Sequence, residues 1–424
     1  MGPAARGRTA ADACPGALRP HLAADGAMVR LRMIGGVLAS RSLAALADLA
    51  DRHGDGALHL TSRGNVQLRA LRAVGQGLDP VVVQAIQGAG LLSSPSHELV
   101  RNVLVSPGTG RLGGLVDLTG AARELDRQLC QDRLLPALPG RFLFALDDGT
   151  GDVVGLGADV GWWALPSSGD DPGAVPVGAL VVSGRDTGVR LTLPRAVPAL
   201  LAVARAFVAR RAQDARVGGA AAWRIGELPD GVERATSLVL QAEPSTTTAA
   251  PVALPPARTR LPELGVLVQH DGRSALAVLV PLGRLSTAAA RVMARSAEGV
   301  VLTPWREVLV PDLTASAARN LVRELSGLGL DVTGTSGWRG VSACAGRPGC
   351  ARALVDVRAL AYRSVGLRVA ASDATGEPSP LHYSGCERRC GHPAGPHDEV
   401  VATTRGLIEG RVDPTAADPR RSTE

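Results

Sequence analysis

Apolar and polar residues alternate with period two along Met28-Val-Arg-Leu-Arg-Met-Ile-Gly-Gly36, which predicts a strand closed by a turn. Ser42 to Ala50 then spaces leucine and alanine along one face of a helix. Ala57-Leu-His-Leu-Thr-Ser-Arg-Gly-Asn-Val-Gln-Leu68 reads as a further strand. The same order returns later. Leu276 to Gly283 gives strand and turn, Ser286 to Ala297 an alanine-rich helix, and Gly299 to Val310 a strand. A second helix follows in each copy, Asp79 to Gly88 and Thr314 to Leu328, each succeeded by a Gly-Xaa-Gly-Leu segment, Gly88 to Leu91 and Gly327 to Leu330. An ungapped offset of 242 superposes Leu60-Thr61 on Leu302-Thr303, so the chain carries an internal duplication of a strand-helix-strand-helix unit. A few strands cannot bury both faces alone, and the two copies are expected to pair.

Each copy is followed by an irregular, glycine-rich region, about residues 93 to 225 and 331 to 410. Between the halves, residues 243 to 260 are rich in Pro, Ser and Thr and predict a linker. The division expected is therefore a first half unit over 14–92, a region over 93–242, the linker over 243–260, a second half unit over 261–330 and a last region over 331–412. Residues 1–13 and 413–424 are expected to be disordered.

At 424 residues, 45% hydrophobic and 20% charged, the chain is long enough for two or three well-buried cores. Its apolar stretches are short and interrupted, so no transmembrane helix is expected, and the opening Met1 to Arg8 leads into no apolar export segment, which makes the cytoplasm the default. The net charge of +6 comes entirely from arginine, because lysine is absent. No basic cluster is interleaved with aromatics, which are only 2% of residues, and nucleic acid is discounted as a partner.

Six cysteines in so long a chain do not make a disulfide scaffold, and four of them fall within 47 positions. Cys344 and Cys350 enclose five residues, and Cys386 and Cys390 enclose three. Four thiolates suffice for a 4Fe-4S cluster, and Gly346, Pro348, Gly349, Gly385 and Gly391 let the chain wrap closely around it. Structural zinc is the rival, although zinc pairs favour gaps of two to four residues. Unligated buried thiols are the bland alternative. Cys14 and Cys130 stand apart and read as small apolar residues without a redox role.

Cys-x5-Cys followed some thirty-odd residues later by Cys-x3-Cys, in a duplicated chain, resembles the sirohaem-dependent nitrite and sulfite reductase superfamily. Arg30-Leu-Arg32-Met-Ile-Gly-Gly36 is similar to that superfamily's arginine-then-Pro-Gly-Gly turn, with Ile34 where proline is usual. Thr61-Ser-Arg63-Gly-Asn65-Val-Gln67 is similar to its Thr-Thr-Arg-Gln-x-x-Gln strand, and Arg101-Asn102 to its Arg-Asn motif. The resemblance implies an α+β fold: two ferredoxin-like half-domains paired by pseudo-two-fold duplication into a central domain, plus two nitrite/sulfite-reductase-type α+β cofactor domains. It also implies a tetrapyrrole gripped by Arg32, Thr61, Arg63, Asn65, Gln67, Arg101, Asn102 and Arg141. Guanidinium groups suit that task because they bind carboxylates bidentately.

Within the superfamily, four features resemble the oxygen-dependent branch that acts on precorrin-3A in aerobic cobalamin biosynthesis. They are Cys14-Pro-Gly-Ala-Leu-Arg19 with Asp25-Gly26, the first cysteine segment with Asp356 and Arg358, the His392-Pro393 ending, and Leu138-Pro-Gly-Arg141-Phe-Leu143, where the reductases carry two lysines. This implies a monooxygenase taking precorrin-3A, molecular oxygen and two electrons, supplied by a ferredoxin or an NAD(P)H-linked reductase. It also implies the 4Fe-4S cluster and allows an additional non-haem iron, for which His382, His392 and His397 show no assignable spacing. Two alternatives remain open: a reductase carrying sirohaem, and a non-catalytic Fe-S electron-transfer or sensor protein. In the second copy Trp305 and Arg306 replace the Ser62-Arg63-Gly64 region and Leu309 stands where the first has Gln67, so that strand is expected to pack rather than bind.

Overall fold

A computed structural model describes residues 12, 14–166, 174–216, 222–242, 246–258, 261, 263–372, 379–393 and 395–413. The termini expected to be disordered lie outside the described residues, apart from Asp12 and Asp413.

The two copies pair by exchanging strands. In the first, His21–Ala23, Gly26–Leu31, Val66–Leu71 and Ala57–Leu60 form an antiparallel sheet, completed at its edge by Arg284–Ser286 of the second copy. The second sheet runs Gly265–Val268, Ser274–Leu279, Glu307–Leu313, Gly299–Leu302 and is completed by Val37–Ala39 of the first. The exchanged registers correspond: Leu285 faces Leu58, and Leu38 faces Val300. Helices Ser40–His53 and Thr287–Ser296 pack together over these sheets, and Leu43, Leu46, Leu285, Ala290 and Met293 lie in one shared core. The sequence offset of 242 does not hold before the helices. Val37–Ala39 matches Arg284–Ser286 because the first helix has 14 residues and the second 10, and the segment after the helix is one residue longer in the first copy.

The second helices, Pro80–Gly88 and Ala315–Gly327, are capped by Asp79, whose Oδ1 accepts from the Val81 amide at 2.9 Å, and by Thr314, whose Oγ1 accepts from Ala317 at 3.2 Å. Gly90 at φ 75° and Gly329 at φ 80° then let the amides of Leu91 and Leu330 reach back to Ile86 and Leu325. That closure explains why both copies carry Gly-Xaa-Gly-Leu.

Two expectations need correction. Ala57 to Leu68 and Gly299 to Val310 are each two strands joined by a tight turn, at Thr61–Asn65 and Thr303–Glu307. Turn formers inside an otherwise apolar run hide such a break from a periodicity reading. The glycine-rich regions are also well structured. The first holds a six-stranded sheet in the order Thr247–Thr248, Arg185–Thr192, Val177–Val182, Val160–Ala164, Phe144–Asp147, Val103–Val105, with helix Leu193–Arg216 packed on it and Phe142, Phe144 and Trp162 in its core. Val103–Val105, Phe144–Asp147 and Val160–Ala164 run parallel and are buried almost throughout, so they lack the alternation that marks a half-exposed strand. The Pro- and Thr-rich stretch supplies this sheet's edge through Thr247–Thr248. The second region holds Val341–Ala343, Leu381–Ser384, His397–Thr403 and Gly406–Val412, with helix Val357–Ser372 against them.

Candidate functional site

A row of four residues crosses the first sheet at one level: Arg30 faces Gln67, Gln67 faces His59, and His59 faces Arg284. Their neighbours along the strands, Val29, Leu31, Val66, Leu68, Leu58 and Leu285, enter the shared core, so the row projects from the opposite face. The corresponding row in the second sheet is Ala277, Leu309, Val301 and Val37. There Ala277, Leu309 and Val301 pack under Leu261 with Leu112, Leu267 and Trp305 against them. One sheet thus presents a polar row and the other an apolar row that is buried except at Val37, which is 62% exposed.

Hydrogen bonds tie Arg30 to Gln67 within the row and hold His59 and Arg284 to Asp55 beside it. With its amide oriented by its hydrogen-bond network, Gln67 accepts from Arg30 Nε at 3.2 Å and Nη2 at 2.8 Å. His59 Nε2 lies 2.8 Å from Asp55 Oδ2, and burial pushes its pKa down despite that carboxylate. Arg284 donates to the Asp55 carbonyl at 3.0 Å.

The cysteine loops dock beside this face through Arg69, which follows Gln67 on the same side of its strand. Its guanidinium holds Asp25 at 3.2 and 3.1 Å and donates to the Gly349 carbonyl at 2.8 Å. Gly349 has no room for a side chain, since a Cβ would meet Arg69 Nη2 at 2.8 Å. The two loops also interlock: a Cβ on Gly385 would lie 2.8 Å from Ala353 Cβ, and the Gly385 amide donates to Cys344 Sγ at 3.2 Å. All six cysteines are free thiols. Burial raises the Cys390 pKa, Arg388 lowers it, and the thiols of Cys344, Cys386 and Cys350 raise it further, which puts the four sulfurs in one neighbourhood. Among the described residues no three of His, Cys, Asp and Glu converge as ligands of a single metal ion. Four neighbouring thiols, one of them accepting a backbone N–H, are a donor set that fits an iron-sulfur group.

Arg30, Arg32 and Arg63 lie close enough to Cys14 for their charges to act on it. Arg32 is 5% exposed, donates to Asn102 Oδ1 and the Pro15 carbonyl, both at 3.2 Å, and keeps Nη2 without a partner. Arg63 donates to the carbonyls of Gly140 and Arg141 at 3.3 and 3.0 Å. Burial, reinforced by neighbouring positive charges, brings both guanidinium groups down to about 10. Arg141 lies exposed with its guanidinium carbon 4.8 Å from the centre of the Trp223 ring. These charges converge without enough acidic partners, the condition under which an anionic ligand is favoured.

The remaining sequence-predicted residues serve the scaffold. Asn65, 1% exposed, accepts the Met33 amide at 2.9 Å, and Asn102 donates to the carbonyls of Leu99 and Gly140, both at 3.0 Å. Thr61 Oγ1 accepts from the amides of Arg63 and Asn65 and builds the turn. Arg101 is claimed by Asp126, through Nε at 2.7 Å and Nη2 at 2.8 Å. Burial works against its charge, yet those bonds leave its pKa above the ordinary value. It is not a free carboxylate receptor as expected.

Five residues of the site carry no role in the sequence analysis, Arg284 of the polar row among them. Arg30 and Cys14 were visible in the quoted motifs but had no assigned task, whereas His59 and Arg69 become meaningful only through strand register. The three C-terminal histidines do come together. The rings of His392 and His397 stack at 5.5 Å, and His382, bonded to Ser342 Oγ at 2.8 Å, is driven down to about 4 by burial.

Residues 20–73, which span the turn at Ile34–Gly36 and the polar strands, match the family of nitrite/sulfite reductase ferredoxin-like half domains. Over 407 residues the chain is 26% identical to a precorrin-3B synthase from Sinorhizobium sp, covering 93% of this chain and 81% of that one. Over 400 residues it is 28% identical to the ferredoxin–nitrite reductase of Synechococcus elongatus, covering 86% and 74%. The structure of the Mycobacterium tuberculosis NirA protein superposes with a TM-score of 0.72 at 22% identity, over 91% of this chain and 73% of that one, so the two share a fold. The α+β architecture and the superfamily resemblance therefore stand. No helix among the described residues is long and apolar enough to cross a membrane.

Proposed function

We propose that this protein is a precorrin-3B synthase-like oxidoreductase, and that its first-copy arginines hold the carboxylate-fringed ring of precorrin-3A over the polar row. The observation that carries this reading is the contrast between the two faces: Arg30, Gln67, His59 and Arg284 across one sheet, Ala277, Leu309, Val301 and Val37 across the other. A polar face beside four neighbouring thiols fits a polyanionic ring next to an electron relay.

Cys344, Cys350, Cys386 and Cys390 would hold the 4Fe-4S cluster, which when bound supplies electrons one at a time. Arg32 and Arg63 would bind and orient the ring carboxylates. The segment Cys14–Arg19 would exclude water from that rim, since Glu98 accepts the Ala17 and Leu18 amides at 2.7 and 3.0 Å and pins it over Arg32. The overall change would add one atom of O2 to the substrate and reduce the other to water, using two electrons and two protons from a ferredoxin or an NAD(P)H-linked reductase.

One observation weighs against the sirohaem reductase reading. Leu143, at the second reductase lysine position, is 4% exposed within an apolar cluster of Leu104, Ala145 and Val153. It offers no cation to an inorganic anion. Incubating the reconstituted protein with precorrin-3A, 18O2 and a reducing system should give a product heavier by one labelled oxygen atom. Sirohaem bands together with nitrite or sulfite turnover, and no labelled product, would contradict the proposal.

A further inference from the structure

One corner of the duplicated unit is built differently in its two copies. In the first, Gly64 sits at φ 63°, with its amide donating to Thr61 O at 3.2 Å and the Thr61 amide to Asn65 O at 3.0 Å. In the second, Arg306 sits at φ 64°, with its amide on Thr303 O at 3.2 Å and the Thr303 amide on Glu307 O at 2.9 Å. Glycine adopts this backbone freely, whereas any other residue bears roughly 1–2 kcal/mol. The second copy bears that cost for an arginine.

Two further features oppose Arg306 unless its side chain has work to do. Its Cδ passes over Gly283, where a Cβ would stand 2.6 Å away, so the path depends on another glycine. Burial lowers its pKa, and no acidic group offsets that effect. Among the described residues its guanidinium makes no hydrogen bond or ion pair. Trp305 beside it does pack, sending Nε1 to the Arg258 carbonyl at 2.6 Å, so the expectation that this turn serves packing holds for Trp305 and not for Arg306. A half-buried, unpaired charge on strained backbone marks a position retained for a ligand.

Its location says which ligand. Gly283 adjoins Arg284, the end of the polar row farthest from Arg30, and Arg306 acts on His382, which bonds the Cys390 carbonyl. Strands about 4.8 Å apart put the two ends of the four-strand row roughly 14 Å from each other, comparable to the width of a tetrapyrrole with its side chains. We infer that Arg306 is an anion-binding residue of this cleft, taking a ring carboxylate at the Cys390 end while Arg32 and Arg63 hold carboxylates at the other. The inference rests on the tetrapyrrole reading and adds a cation from the second copy to it.

The test is binding of uroporphyrin, a stable eight-carboxylate ring, to the purified protein carrying its iron-sulfur group, for wild type, Arg306→Gly, Arg306→Gln and Arg63→Gln. Loss of one charge-assisted contact should raise Kd about tenfold in both Arg306 variants. Arg306→Gly should melt no lower than wild type, because its corner is relaxed, and the midpoint potential of the iron-sulfur group should not move. Arg306 variants that bind like wild type while Arg63→Gln loses affinity would overturn the inference and leave the tetrapyrrole reading intact. A displaced midpoint potential with unchanged Kd would overturn it too, assigning Arg306 to the iron-sulfur group. Wild type failing to bind the ring would remove both.

Discussion

Arg69 donates to the carbonyl oxygen of Gly349 at 2.8 Å while its Nε and Nη2 hold Asp25, so one guanidinium fastens the first cysteine loop to the polar strand 280 residues earlier. This bond places the cysteine loops beside the arginine face. It also makes their position sensitive to a residue that touches no sulfur.

Arg69→Leu should therefore loosen the loop and strand Asp25, whose side chain is 12% exposed. Removing one member of a buried pair costs about 3 kcal/mol. The expected outcome is a lower melting temperature together with substoichiometric iron, measured by thermal denaturation and metal analysis. Full iron content in a destabilised variant would limit Arg69 to a folding role.

Arg101 and Asp126 should behave as a structural pair. Arg101→Gln is expected to lower stability by about 2 kcal/mol, the scale of a partly buried charged hydrogen bond, while changing ring affinity less than about twofold. Denaturant titration and ligand binding on the same preparation separate these effects. A tenfold loss of affinity would show that Asp126 releases Arg101 to the ligand.

The acidic turn after Phe144–Asp147 should set a pH dependence. Asp152 is 8% exposed, accepts from Ser106 Oγ at 2.7 Å, and is raised to about 7 by burial first and by the Asp147 charge second. Its folded pKa lies above the unfolded one, so the folded state binds the extra proton between about pH 4 and 7. Stability from this group is complete below that window, falls as pH rises through it, and is flat beyond. Asp152→Asn keeps the acceptor and removes the ionisation, so it should stabilise at pH 8 by at most about 4 kcal/mol and have little effect at pH 4. Equal effects at both values would contradict the assignment.

The duplication and its helices were legible because caps and Gly-Xaa-Gly-Leu closures repeat as short local patterns at Asp79, Thr314, Gly90 and Gly329. The strand exchange was not, since Val37–Ala39 and Arg284–Ser286 are three residues each and their partners lie over two hundred positions away. At the site, motifs carried Arg32, Arg63 and the cysteines, but a motif does not say where a guanidinium points. Arg101 and Asn102 adjoin in sequence yet bond in different directions, to Asp126 and to Gly140. His59 and Arg284 belong to the polar row only through register, which no local pattern encodes.

The account depends most directly on what the four thiols hold. Iron and acid-labile sulfide should be measured per chain on anaerobically purified protein. About four of each are predicted, falling sharply in Cys350→Ser. Protein that carries stoichiometric zinc, or neither iron nor sulfide, would contradict it.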